Sequence, residues 1–182
     1  MTGPHPNPLP KGEGTGTPPT TASNPETLSF PSMHYQSQIK YESSRIHAAA
    51  IYCSDGRVGE QFDDFLQNGL MLPRYDRVAL PGGPACIAGH TEAHVEEQGI
   101  IQELNFLAEV HGLRRVVLIA HQGCAFYATR LGLPPTFMEH QQMIDLIKAA
   151  RFIQRVTPVK KVDAYMARLT GAQIHFEEVD LE

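Results

Sequence analysis

The chain has 182 residues, of which 42% are hydrophobic, and this is enough for one hydrophobic core but too little for two full domains. Its formal net charge of -5 and its lack of tryptophan argue against nucleic acid or an anionic membrane surface as a partner. The sequence contains no apolar run of about 18 residues, so we expect no membrane-spanning helix.

The cysteine content and the N-terminal composition indicate a cytoplasmic protein. The chain begins without the basic and apolar regions that make up a secretory signal. Its three cysteines are an odd number, and two of them stand near histidine or aspartate residues. We therefore expect reduced thiols or metal ligands in the cytoplasm rather than a set of disulfides.

A change in composition divides the chain into a tail and a body. Residues 1–32 hold eight of the 14 prolines and almost no large apolar side chains. Such a segment buries too little surface to offset its ordering entropy, so we predict a disordered tail or a linker. A second interpretation is that Met33 is the native start and that the preceding residues are a spurious extension. Residues 33–182 are predicted to form a single α/β domain.

The body alternates between strand-like and helix-like segments. Mostly apolar runs of strand length lie at 45–53, 76–82 and 115–121, and their near-continuous apolarity is typical of strands covered on both faces. The alternation of such strands with helices is typical of an α/β protein with a parallel sheet. The helices are predicted at 58–68, 92–111, 124–130 and 137–156.

The C-terminal segments predict a hairpin. Residues 160–169 and 172–181 have strand character and flank the turn at Thr170-Gly171. The hairpin would add an antiparallel strand to one edge of the sheet. We therefore predict a three-layer α/β fold with a central, mostly parallel sheet and an antiparallel edge strand.

Two short motifs follow predicted strands and carry metal-binding residue types. They read CSDGR at 53–57 and HQGC at 121–124. If the two strands are neighbours, Cys53, His121 and Cys124 converge at one edge of the sheet. Two thiolates and one imidazole suit tetrahedral Zn²⁺ and leave its fourth position open, which is the pattern of a catalytic site.

The residues between Cys53 and the first predicted helix are of types that could orient water and support the metal ligands. Asp55 is placed to accept a hydrogen bond from water near the metal. Arg57 is placed to bind the Asp55 carboxylate, keep it ionised and fix its orientation.

These motifs resemble those of the β-class carbonic anhydrases, which carry C-x-D-x-R after one strand and H-x-x-C after a later one. The resemblance covers about residues 45–181, and the motifs have the order and spacing of that family. It implies a β-carbonic-anhydrase-like fold and the reversible, zinc-dependent hydration of CO₂ to bicarbonate. It also implies a homodimer or a larger homo-oligomer.

The resemblance assigns a role to each motif residue. Cys53, His121 and Cys124 would bind zinc, and Asp55 and Arg57 would form the catalytic dyad. In some members of the family the aspartate closes the metal site, and Asp55 has the matching position.

Departures from the family pattern keep two other functions open. Residues 80–84 read LPGGP where the family commonly has a run resembling Arg-Asn-Ala-Gly, and Cys124 precedes alanine rather than glycine. A zinc hydrolase of COS, CS₂ or another small electrophile would fit the same scaffold. The third interpretation is a catalytically silent zinc-binding or interaction module, in which Asp55 would close the metal site.

Other conspicuous residues have structural interpretations. Cys86 lacks a partner at ligand spacing and is expected to be structural, with a redox role as the alternative. His90 and His94 are spaced to share one face at a solvated helix start, with a proton-shuttle role as the alternative. Apolar residues spaced along the helix at 137–156 predict a stripe that faces the core or a dimer partner. Its members are Met138, Met143, Ile144, Ile147, Phe152 and Val156.

Overall fold

The computed structural model describes residues 34–44 and 47–182. The tail predicted at 1–32 lies outside the described residues. The chain divides into two units, Met1–Tyr41 and Glu42–Glu182. In the first unit, the described residues 34–41 are exposed and form neither helix nor strand.

A five-stranded sheet organises the second unit and confirms the predicted fold class. The strand order is β2-β1-β3-β4-β5. The first four strands in this order run parallel, and the last pairs antiparallel with β4. The strands are β1 (Ala48–Cys53), β2 (Asp76–Leu80), β3 (Arg115–His121), β4 (Lys161–Thr170) and β5 (Gln173–Glu178).

Four α-helices connect the strands, and two of the predicted helices end in a wider turn. The helices predicted at 58–68 and 92–111 finish in π-helical turns at Phe65–Gly69 and Leu107–His111. Gly112 then ends the second of these with a φ of 67°, a left-handed conformation that glycine adopts at little cost. The α-helices are α1 (Gly59–Asp64), α2 (His94–Phe106), α3 (Ala125–Thr129) and α4 (Pro135–Val156).

The sheet separates two hydrophobic layers. Successive side chains of a strand point to opposite faces, so each central strand contributes to both layers. Ile51 and Leu118 pack in the layer that contains α2, α3 and α4. Tyr52 and Ile119 pack in the layer that contains α1. Burial on both faces explains why these strands read as continuous apolar runs.

An aromatic cluster joins α1 to the edge of the sheet at which the two sequence motifs follow β1 and β3. The Phe62 ring is fully buried, and its centroid lies 5.4 Å from that of Tyr52 and 6.0 Å from that of His121, both edge-on. It also contacts Phe176 of β5, on which the Phe65 ring is stacked at 4.0 Å. One side chain of α1 therefore supports both a central strand and a residue of the predicted site.

The packing of α4 confirms the core-facing stripe in part. Four of its predicted members pack against the core while only partly buried. These four are Met138, Met143, Ile147 and Phe152. The fully buried residues form a face between them. That face includes two polar side chains, which periodicity counts as exposed. The buried residues are Gln142, Asp145, Leu146, Ala149, Ala150 and Ile153. In the described part of the chain, no helix combines the length and apolarity needed to cross a bilayer.

We predict that Phe62→Ala destabilises the protein by about 3–5 kcal/mol, because it removes a buried ring from a packed cluster. The matched control is Phe137→Ala, whose ring is 61% exposed. This control should change the free energy of unfolding by no more than about 0.5 kcal/mol. Urea denaturation of both variants measures the difference, and equal losses would contradict the role of Phe62.

Candidate metal centre

Three side chains of metal-binding type meet at the carboxyl edge of the sheet. Cys53 ends β1, His121 ends β3, and Cys124 directly precedes α3. Their ligand atoms all lie within 4.8 Å of one another, and all three residues are buried. They are the three residues that the two sequence motifs nominate as metal ligands.

Parallel pairing accounts for this meeting point. β1 and β3 are hydrogen-bonded neighbours, and Tyr52 is in register with Ile119. Because the carboxyl ends of parallel strands meet at the same edge, the residues just after this pair emerge together. The turn after His121 then returns the chain, so that Cys124 faces Cys53.

The two cysteine sulfurs interact directly. Their Sγ atoms are 3.7 Å apart, with Cys124 as the donor and Cys53 as the acceptor. This hydrogen bond lowers the pKa of the Cys53 thiol and raises the pKa of the Cys124 thiol. The pair therefore favours a thiolate at Cys53, which is the form that binds a metal.

The hydrogen bonding of His121 leaves one ring nitrogen available. Its Nδ1 lies 3.0 Å from the carbonyl oxygen of Gln122, and since a carbonyl only accepts, Nδ1 carries the proton. A neutral imidazole then has its lone pair on Nε2. That atom is buried and has no hydrogen-bond partner among the described residues.

These observations fit a bound zinc ion. Buried polar atoms usually have a bonding partner. The His121 Nε2 atom has none among the described residues and lies beside two cysteine sulfurs, so a metal ion would supply the missing partner. Two sulfurs and one imidazole are a donor set that zinc prefers. A hydrogen bond from the other ring nitrogen to a backbone carbonyl is the usual way in which a zinc-binding histidine is oriented.

A turn with two glycines, Gly82 and Gly83, packs against Cys53 and donates a hydrogen bond to it. The backbone N–H of Gly82 donates to the Cys53 Sγ atom at 3.4 Å. Gly82 has a φ of 88°, and a Cβ there would lie 2.6 Å from the Phe126 ring. A Cβ on Gly83 would lie 2.6 Å from the backbone of Tyr52. The departure from the family pattern at 80–84 therefore forms a turn that only glycine fits, and this turn directs an N–H at a candidate ligand.

Gln142 is a supporting residue that the sequence analysis missed. This side chain of α4 is almost fully buried, and its Nε2 donates to the backbone carbonyl of His121 at 2.7 Å. The bond ties the end of β3 to the long helix. The available signal was a polar residue close to the apolar positions of α4, but periodicity alone does not say what such a residue contacts.

Asp55 and Arg57 form a bidentate ion pair beside the cysteines. The Asp55 Oδ2 atom is 2.5 Å from Arg57 Nη2, and Oδ1 is 3.0 Å from Nε. The guanidinium holds the pKa of the Asp55 carboxyl well below its usual range. Asp55 is not a member of the three-residue cluster, and both of its carboxylate oxygens contact Arg57.

Two histidines and a cysteine singled out by sequence are not members of the cluster. His90 precedes the short 3₁₀ turn before α2 rather than lying in a helix, so the expected shared face with His94 is wrong. The His90 Nε2 atom is 2.8 Å from the buried carboxylate of Asp145. Cys86 is buried, and burial raises its pKa to about 12. A thiol with that pKa is inert at neutral pH, as expected of a structural residue.

An open cleft of about 470 Å³ lies beside the cluster. His121 and Arg57 line it together with the apolar side chains of Val58, Leu169 and Ile174. The cleft gives solvent and small molecules access to the edge of the sheet at which the three ligand-type residues meet.

The family of the chain follows from a comparison with family models. A model described as "Putative carbonic anhydrase" matches residues 43–176. The chain belongs to this carbonic anhydrase family. The matched region contains both motifs, and the family resemblance drawn from those motifs is confirmed.

The fold of this carbonic anhydrase family member is similar to that of one solved structure. A β-carbonic anhydrase, isoform I of Trichomonas vaginalis, matches with a TM-score of 0.51 and 12% identity over 77% of this chain and 87% of that chain. The β-carbonic anhydrase CafA of Aspergillus fumigatus matches with a TM-score of 0.40 and 15% identity over 75% and 76%. No curated protein matches the sequence.

We predict that Gly82→Ala costs about 1–3 kcal/mol more than Gly89→Ala, because only at Gly82 does the new methyl meet a packed ring. The two glycines share a φ of 88°, and a Cβ at Gly89 meets no atom within 4 Å, so backbone strain is matched between the variants. Urea denaturation gives both free energies of unfolding. If the two losses are equal, backbone strain alone explains the glycine at this turn.

Proposed function

We propose that this protein catalyses the zinc-dependent, reversible hydration of CO₂ to bicarbonate. The observation that carries the proposal is the cluster of Cys53, His121 and Cys124 beside the Asp55–Arg57 ion pair, in a chain of the carbonic anhydrase family. We also propose, from the family resemblance, that the protein works as a homodimer or larger homo-oligomer. Its three free cysteines support a location in the cytoplasm.

Cys53, His121 and Cys124 would hold the zinc ion. When bound, zinc supplies the Lewis acidity that makes water a nucleophile near neutral pH. Two thiolates neutralise most of the charge of the ion, so its acidifying effect is weaker than with three imidazoles. Neighbouring groups that orient the attacking water are correspondingly more valuable.

Asp55 is the group we assign to orient water. Its carboxylate is ionised at neutral pH and accepts hydrogen bonds only. Because Arg57 lowers the basicity of Asp55, the carboxylate holds a water proton in a hydrogen bond rather than removing it. Arg57 in turn fixes the carboxylate with two parallel contacts, which sets the direction of the accepting oxygens.

The cleft suits the substrate and product of this reaction. CO₂ is apolar, and the Val58, Leu169 and Ile174 side chains offer it an apolar approach. Bicarbonate is an anion, and the Arg57 guanidinium, with a 74% exposed side chain, lines the same cleft. One opening therefore has a surface for each of the two species.

We predict about one zinc ion per chain in the purified protein, and loss of that zinc in Cys53→Ser. A serine hydroxyl stays protonated at neutral pH and is a poor zinc ligand, whereas the thiolate it replaces binds strongly. The control is Cys86→Ser, which changes a buried cysteine outside the cluster and should retain zinc. Elemental analysis after dialysis measures the metal content. Full retention of zinc in Cys53→Ser would contradict the ligand assignment.

We predict that Asp55→Asn lowers kcat/KM for CO₂ hydration at least about 100-fold while zinc stays bound, because the orienting charge is lost with little change of shape. Asp64→Asn is the matched control, since this exposed α1 residue lies outside the cluster and should keep wild-type activity. Stopped-flow measurement of proton release on protein of known zinc content gives both values.

Assays of zinc-loaded protein with CO₂, COS and CS₂ distinguish the alternative functions. Zinc-loaded protein that shows no hydration above background between about pH 7 and 9 would contradict the proposal. Release of hydrogen sulfide from COS or CS₂ by such a preparation would support the hydrolase instead. Inactivity towards CO₂, COS and CS₂ would support the third interpretation, a catalytically silent zinc-binding or interaction module.

A further inference from the structure

A second concave site lies on the face of α4, away from the metal centre. It is a groove of about 400 Å³ between α4 and the segment from Ile87 to Gly89. None of its lining residues belongs to the metal cluster or to the cleft beside it. The groove is within the size range of small-molecule sites.

Three cations of α4 line this groove. Lys148, Arg151 and Arg155 are spaced by three and four residues, so they lie on one face of the helix. Among the described residues, none of the three has a carboxylate within 4.0 Å. Like charges at this spacing destabilise a helix, and no ion pair among the described residues offsets that cost.

Helix electrostatics explain only one of these charges. Arg155 lies in the last turn of α4, where the helix dipole favours a cation. Lys148 and Arg151 lie further from the helix end, beyond the reach of that effect. Two cations therefore remain that neither an ion pair nor the helix dipole accounts for.

The other residues that line the groove do not balance the charge of the three cations. Glu97 of α2 is the one carboxylate that lines it, so three cations face one anion. The groove thus has a formal excess of two positive charges, whereas the whole chain carries -5. The Arg155 guanidinium lies 5.3 Å from the centroid of the Phe152 ring, which also lines the groove.

We propose that this groove binds a small organic molecule through a phosphate monoester group. A phosphate dianion matches the two excess charges, and arginine side chains bind phosphate through parallel hydrogen bonds that Arg151 and Arg155 can supply. The groove is larger than inorganic phosphate alone, which leaves room for the organic part against Phe152. An extended polyanion such as nucleic acid fits poorly, because the chain as a whole is acidic.

The test is a titration of the full-length, zinc-loaded, ¹⁵N-labelled protein with inorganic phosphate, with chloride added to hold the ionic strength constant. We expect saturable shifts of the Ala88 and Gly89 amide resonances, because these residues line the groove. Shifts that do not saturate, or that are confined to Gly123 beside the metal ligands, would overturn the proposal. The second pattern would mean that phosphate binds only at the metal centre.

Variants of two of the three cations test their part in the binding. Arg151→Gln should weaken phosphate binding at least tenfold, and Lys148→Gln, on the same face, should also weaken it. Arg114→Gln makes the same charge change at an exposed arginine outside the groove and should leave binding unchanged. Equal weakening in Arg151→Gln and Arg114→Gln would overturn the proposal, since net charge alone would then explain it. A phenyl phosphate titration tests the organic part, which should bind more tightly than inorganic phosphate.

Discussion

The parallel pairing of β1 with β3 is the constraint on which the rest of the structure depends. Both strands are buried on both faces, so their register is fixed by two hydrophobic layers at once. A slip of one residue would exchange the faces of every side chain in the strand. Cys53 would then point away from Cys124, and the orphaned nitrogen of His121 would have no sulfur beside it. The register of two apolar strands thus determines whether a metal centre can form.

Much of the fold could be predicted because its strands are short, apolar and separated by helical segments. The sequence does not reveal the π-helical turns that end two helices, since a 3.6-residue period hardly changes when the last turn widens by one residue. It also missed the most buried face of α4, because Gln142 and Asp145 are polar and yet point into the core. Their burial depends on His121 and His90, which lie 21 and 55 residues away in the chain.

In the candidate site, the sequence predicted the reactive side chains but not the backbone contacts that support them. The residues that carry its chemistry have distinctive types and stand directly after strands, so the motifs located Cys53, Asp55 and His121. The N–H group that Gly82 directs at Cys53 is a backbone atom, and every residue except proline has one. Only the three-dimensional path of the turn makes that group special. Sequence reasoning thus recognises the groups that react more readily than the groups that hold them in place.

The position of His121 has a consequence for how the two layers of the protein move. Cys53 and Cys124 belong to the layer of α2, α3 and α4, whereas the His121 ring contacts Phe62 of α1 on the opposite side of the sheet. An ion held by all three would act as a noncovalent cross-link between the layers. Its departure would require one layer to open locally, so the rate at which a chelator extracts the ion becomes a measure of local unfolding at this edge.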